Sequence, residues 1–146
     1  MGYKPSSYTC RILDPSAGKE EMRVCEIVAA CTRDIWNARE LMERTASVAR
    51  RLDCPMVLMV IIGPEDDEAV VLERAYRCAR AYGAEMAAFT GERALNRMLA
   101  EAQRRRVCCL TTMDDAELLS RVRLAFGYAQ ALDVSTAAME EPALAQ

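Results

Sequence analysis

Two polar runs stand out because each follows an apolar stretch and mixes hydroxyls with charges: Thr32-Arg33-Asp34 and Thr111-Thr112-Met113-Asp114-Asp115. Brought together, Thr32, Arg33, Asp34, Thr111, Thr112 and Asp114 would form a polar cradle. Hydroxyls and a guanidinium would hold an anion there, and Asp34 would accept from a sugar or base. Capping of two helices by Thr and Asp accounts for the same residue types, so both readings stand. Cys31 adds a thiol at the edge of the set. A helix start after it and Arg33 beside it would lower its pKa and make it reactive; the other reading is a buried strand-end cysteine without reactivity.

The chemistry is bounded by what is missing. The 146 residues include no histidine, which excludes a Ser-His-Asp triad, a Cys-His pair, a His-ligated metal and a phosphorylatable His. No nucleophile–base pair assembles from what remains, so binding rather than catalysis is expected. The acid pairs Asp66-Asp67 and Asp114-Asp115 look like metal ligands, but they stand at expected helix starts, where the macrodipole favours negative charge; no metal site is expected. A receiver-type phosphoacceptor site would need a lysine after the last strand, and no lysine occurs beyond Lys19.

Nineteen Lys and Arg against 22 Asp and Glu give a net charge of −3. The one basic run, Arg104-Arg105-Arg106, closes an expected helix, so no nucleic-acid surface is expected. No apolar run approaches the ~20 residues of a membrane helix, so no span is expected, and the N-terminus lacks the pattern of a signal peptide. The seven cysteines are odd in number and form no C-x-x-C pair, a usage that suits reduced thiols in the cytoplasm. Cys108 and Cys109 are adjacent, so in a strand they would point to opposite faces, both into core.

The elements that must position these residues follow from periodicity. Val24–Ala30 reads as a buried strand. Ala38, Leu41, Met42, Thr45, Ala49 and Leu52 mark an amphipathic helix with Asp34 or Asn37 as cap. Met56–Ile62 has no polar side chain, as expected of a central parallel strand. Ala69, Leu72, Tyr76, Ala79 and Tyr82 mark a second helix, stopped by Gly83. Ala84–Thr90 is a third strand. Leu95, Met98, Leu99 and Ala102 mark a third helix, and Val107–Thr112 a fourth strand. Leu118 or Leu119, Val122, Ala125, Phe126 and Ala129 mark a fourth helix. Val134–Ala138 is a weaker fifth strand. Trp36 falls in the first loop, either over the crevice or on the first helix. The alternation predicts one α/β domain, a doubly wound parallel sheet with helices on both faces. Its expected extent is 23–139, after a flexible arm or linker at 1–22 and before a loose tail at 140–146.

This order resembles the universal stress protein family. It looks closest to the stress-protein-like domain embedded in bacterial potassium-sensor histidine kinases. The runs that carry the resemblance are Arg50-Arg51-Leu52-Asp53-Cys54-Pro55-Met56-Val57-Leu58-Met59-Val60, Ala79-Arg80-Ala81-Tyr82-Gly83-Ala84-Glu85-Met86 and Ala100-Glu101-Ala102-Gln103-Arg104-Arg105-Arg106-Val107. The resemblance implies a five-stranded, Rossmann-like sheet of order 3-2-1-4-5, ligands at the carboxyl ends of strands 1 and 4, and a homodimer through strand five. It implies a regulatory or sensory role in stress or signalling. A nucleotide-hydrolysing stress enzyme and a pure dimerisation module of a larger sensor kinase are the alternatives.

ATP-binding members of that family carry a Gly-rich motif after strand 4, whose glycines let backbone approach the phosphates. Here no glycine occurs between Thr112 and Gly127, and Asp114, Asp115 and Glu117 occupy the segment. ATP or AMP as a cofactor is therefore disfavoured, and none is expected. Members that bind a cyclic dinucleotide carry paired serines after strand 1 and an aromatic in strand 2; here Thr32-Arg33-Asp34 and Val60 stand in those places, which disfavours that ligand as well.

Overall fold

A computed structural model of the chain describes residues 26–127 and 130–135. The expected arm and tail, and with them Cys10, Val24, Cys25, Ala129 and residues 136–139, lie outside the described residues. Five strands alternate with four helices: β1 Ile27–Thr32, α1 Ala38–Leu52, β2 Met56–Ile62, α2 Glu68–Ala81, β3 Glu85–Thr90, α3 Ala94–Arg104, β4 Val107–Thr112, α4 Ala116–Phe126 and β5 Ala131–Asp133. A single 3-10 turn, Ile35–Asn37, precedes α1. All pairings are parallel, in the order β3-β2-β1-β4-β5.

That order follows from apolar coverage. β1 is buried along its whole length and β2 nearly so, so both must lie inside the sheet with helices on each face. The chain steps outward from β1 to β2 to β3, then returns to the far side of β1 for β4 and β5. With right-handed crossovers, reversing the direction of travel moves the helices to the opposite face. One core accordingly joins Val28, Leu58 and Val60 to Leu41, Met42, Val71 and Ala75 of α1 and α2. The other joins Ala29, Val57 and Met59 to Met98, Leu118 and Val122 of α3 and α4.

The first helix ends where its backbone turns left-handed at Asp53 (φ 57°), whose N–H donates to the Arg50 carbonyl while that of Cys54 donates to Ala49. Pro55 then cannot continue a helix, and its carbonyl accepts from Val28 N. Gly83, at φ 68°, follows α2 as expected.

β1 runs past its expected end at Ala30 to Thr32, and four further details depart from the sequence expectations. The buried stripe of α2 is Val71, Ala75 and Ala79, while Tyr76 is 52% exposed. This helix carries apolar residues on more than one side, so periodicity alone left its phase ambiguous. Leu52, at the end of α1, and Ala125 of α4 are exposed. Cys108 and Cys109 face the same side. Ile27 pairs with Val107 but Val28 pairs with Cys109, so Cys108 is the extra residue of a bulge, and both cysteines pack into the α1/α2 core. Finally, β5 is Ala131–Asp133, earlier than Val134–Ala138. Asp133 pairs with Thr112, the last residue of β4, so no ladder partner remains beyond it. Val134 follows the strand as a fully buried plug.

Candidate functional site at the head of the sheet

The strand order reverses between β1 and β4, which leaves a crevice at their carboxyl ends, where open α/β sheets take ligands. The crevice is small, about 130 Å³, and is lined by Cys31, Thr32, Asp34, Asn37, Leu41, Met113, Asp114 and Asp115. Of the residues expected from sequence, Thr32, Asp34 and Asp114 are in its wall.

The β1 side is knitted by local hydrogen bonds. Thr32 Oγ1 accepts from Asp34 N at 2.9 Å. Asp34 Oδ1 accepts from Trp36 N at 3.1 Å and Oδ2 from Asn37 Nδ2 at 2.6 Å. Asp34 thus caps the 3-10 turn; Asn37 stands at the N-cap of α1 but makes no side-chain capping bond. Asp34 thus does what capping requires, and the turn holds Trp36 outward, 56% exposed, beneath the Arg74 guanidinium of α2 at 4.2 Å. Trp36 therefore packs on the second helix rather than covering the crevice or resting on the first.

Arg33 crosses to the β4 side. Its Nε donates to Asp115 Oδ2 at 2.8 Å, its Nη2 to Asp115 Oδ1 at 2.5 Å and to Glu117 Oε1 at 3.3 Å. Asp115 is also the N-cap of α4, accepting from Leu118 N at 3.1 Å. Partial burial pushes its carboxyl up, but the Arg33 hydrogen bonds, the Leu118 amide and the Arg33 charge outweigh it and leave the group below its ordinary value. Beside it Asp114 is exposed and held left-handed at φ 56°. The sequence places Asp115 in the acid pair at the start of α4, and its partnership with Arg33 carries no local signal.

Thr111 and Thr112 lie below the crevice rather than in its wall. Thr111 is fully buried; its Oγ1 is 2.7 Å from Thr45 Oγ1 of α1 and 3.3 Å from the Ala29 carbonyl. Thr45 in turn donates to the Leu41 carbonyl at 2.7 Å. These hydroxyls tie helix to sheet, because a buried hydroxyl without a partner is costly. Thr112 alternates to the other face, 1% exposed, and its Oγ1 has no hydrogen-bond partner.

Cys31 is 1% exposed. Burial, with the nearby Cys109 thiol adding to it, pushes its pKa up to about 12, the opposite direction from the reactive one of its two readings. Arg33, whose charge was to lower it, is spent on the carboxylates of α4. Among the described residues no group of three or more Cys, Asp or Glu is arranged to hold a metal ion.

No family model matches the chain, and no curated protein matches it in sequence. Solved structures do match in shape. The universal stress protein from Archaeoglobus fulgidus in complex with dAMP is 17% identical, with a TM-score of 0.54 over 74% of this chain and 95% of that one. A further structure of universal stress protein from Archaeoglobus fulgidus is 15% identical, with a TM-score of 0.55 over 74% of this chain and 92% of that one. At such identities the likeness is one of fold.

Proposed function

We propose that the chain is a universal-stress-protein-like regulatory or sensory domain that acts by binding a small ligand or partner at the head of its sheet, not by catalysis. The observation that carries this reading is the Arg33–Asp115 fork with Glu117 beside it. It spans the place where strand order reverses and puts the one cation of the site in the hands of carboxylates. The remaining 130 Å³ falls short of the about 300 Å³ at which ligand pockets begin. Asp34, Asp114 and Asp115 would repel a triphosphate, and no glycine between Thr112 and Gly127 lets backbone close on phosphates. An anion entering here would have to take Arg33 from Asp115, with Thr32 and Asp34 at hand on the β1 side. The neighbour solved with dAMP supports a nucleotide as a class of ligand for the fold, not the usual ATP mode for this chain.

The finer assignment rests on sequence: the three runs quoted above favour domains of the kind embedded in bacterial potassium-sensor kinases. A cytoplasmic location is supported by the five described cysteines, all unpaired, and by the lack, among the described residues, of a helix long and apolar enough to cross a membrane.

Calorimetric titration tests the reading. Neither ATP nor AMP without metal should bind the native chain in the micromolar range, whereas Asp115→Asn, which frees Arg33, should bind AMP measurably tighter than the native chain. Micromolar ATP binding by the native chain overturns it.

A second reading, a dimerisation module of a larger sensor, is favoured by Leu124 on α4, which is 81% exposed on the helix that leads to edge strand β5. Native mass spectrometry of the native chain and of Leu124→Glu discriminates: a dimer lost in the variant supports this module, and a monomer in both removes it.

A further inference from the structure

A large hollow shares none of the crevice's residues, although the 3-10 turn borders both. It runs between the 3-10 turn and α2, holds about 820 Å³, and has Trp36, Arg39, Val70, Arg74 and Tyr82 among its walls. A second hollow of about 560 Å³ adjoins it through Glu73, Arg77 and Ala81 and reaches Tyr76 and Arg80. Three of the five large hydrophobic side chains that stand exposed among the described residues, Trp36, Val70 and Tyr76, border this one face.

Elsewhere Arg33, Arg44, Arg104 and Arg105 are each paired with a carboxylate, while Arg97 bonds the Thr90 carbonyl and Arg121 the Asn96 side chain. On this face, among the described residues, Arg77 alone is paired, with Glu73 at 2.8 Å. Arg74 lies over the Trp36 ring at 4.2 Å; Arg80 lies 5.6 Å from the Tyr76 ring centre and spends one donor, Nη1, on the Tyr76 hydroxyl at 3.3 Å. Arg39 and Arg74 both line the larger hollow, together with Cys78, and among the described residues neither is paired with a carboxylate. A guanidinium stacked on a ring keeps its in-plane N–H donors free and is already ordered, so little entropy is lost when an oxyanion docks. Trp, Tyr and Arg are also the residue types that carry most binding energy at protein interfaces.

We propose that this face docks an acidic segment of a partner protein: a short extended peptide whose carboxylates reach Arg39 and Arg74 and whose apolar side chain lies against Trp36 and Val70. The adjoining hollows follow α2 from Val70 to Tyr82, about 18 Å at 1.5 Å per residue, which an extended peptide of about six residues spans. Length and openness fit a chain better than a compact metabolite. Arg77 offsets Glu73 in the wall of both hollows, and Trp36 and Val70 give an apolar side chain a place that a run of phosphates would leave empty.

The test uses the whole chain and a synthetic hexapeptide of alternating glutamate and leucine. Trp36 is the one tryptophan, so its emission should change saturably on titration. With the peptide fluorescently labelled, Arg39→Glu and Trp36→Ala should each weaken binding about ten-fold while far-ultraviolet circular dichroism stays unchanged. A peptide of alternating lysine and leucine should not bind, and a uridine hexanucleotide should not compete. No saturable change at millimolar peptide, binding of the lysine peptide as tight as that of the glutamate one, indifference to Arg39→Glu, or tighter binding of the hexanucleotide each overturns the proposal. None of these outcomes bears on the nucleotide titrations at the sheet head.

Discussion

The Arg33 guanidinium and the Asp115 carboxylate meet as a two-bond fork, 2.8 and 2.5 Å, although 82 residues separate them in the chain. One follows β1 and the other opens α4, and they meet because the sheet sets β4 beside β1. Asp115 serves two masters, the first turn of α4 and the cation of the crevice.

Substitution separates the two roles. Asn is as good an N-cap as Asp, so Asp115→Asn removes only the ion pair and should cost less than about 1 kcal/mol, given the partial exposure of both partners. Asp115→Ala also loses the cap and should cost about 1–2 kcal/mol. Urea unfolding checks this, and equal losses in the two variants would show that the cap contributes nothing. The pair also sets a pH dependence. A carboxyl held below its ordinary value contributes stability that is fully present above the unfolded pKa and lost as pH falls through the folded one. Glu101 acts in the same sense, held down by hydrogen bonds from Arg104, against some burial, and from Arg105. Stability should therefore decline as pH drops below about 4, and less steeply in an Asp115→Asn, Glu101→Gln double variant.

The Thr45–Thr111 contact should behave as a coupled unit. Each hydroxyl is buried, so replacing either one by Val should cost about 1–2 kcal/mol, while the double Val variant should cost less than the sum of the two. Chemical denaturation of the four proteins gives the coupling directly. Strict additivity would mean that the 2.7 Å contact contributes no interaction of its own.

Thr112 should respond oppositely. Its hydroxyl is buried without a partner, so Thr112→Val should leave stability unchanged or raise it by up to about 1 kcal/mol. A loss above that size, read from the thermal midpoint, would mean that the hydroxyl has a partner in solution.

Alkylation should rank the thiols by burial and hydrogen bonding. With iodoacetamide at mildly alkaline pH, Cys78 and Cys108, which are partly exposed, should be modified first; Cys54, whose pKa is pushed well up by its hydrogen bond with Cys108 and by burial, should lag, as should Cys31 and Cys109. Burial pushes the last two up to about 12 and about 11, and only the thiolate reacts. Peptide mass spectrometry over time reads the order. Early labelling of Cys31 would restore it as a reactive group.

The amino-acid sequence by itself determined the α/β class, the bounds of β2 and β4, the burial of β1, and the helix stop at Gly83. Those features are local: periodicity and turn chemistry act within a few residues of chain. It also placed Thr32, Asp34 and Asp114 at the sheet head, because strand ends are readable. Tertiary structure alone decided where the side chains went. Whether Arg33 holds an anion or Asp115, whether Thr111 faces a ligand or Thr45, and which side of α2 is buried all depend on neighbours supplied by distant segments. The bulge at Cys108 makes the point most sharply. One extra residue in β4 turns two adjacent cysteines to the same face, and nothing in their own stretch of chain encodes it, since a bulge belongs to the pairing of two strands and not to either one.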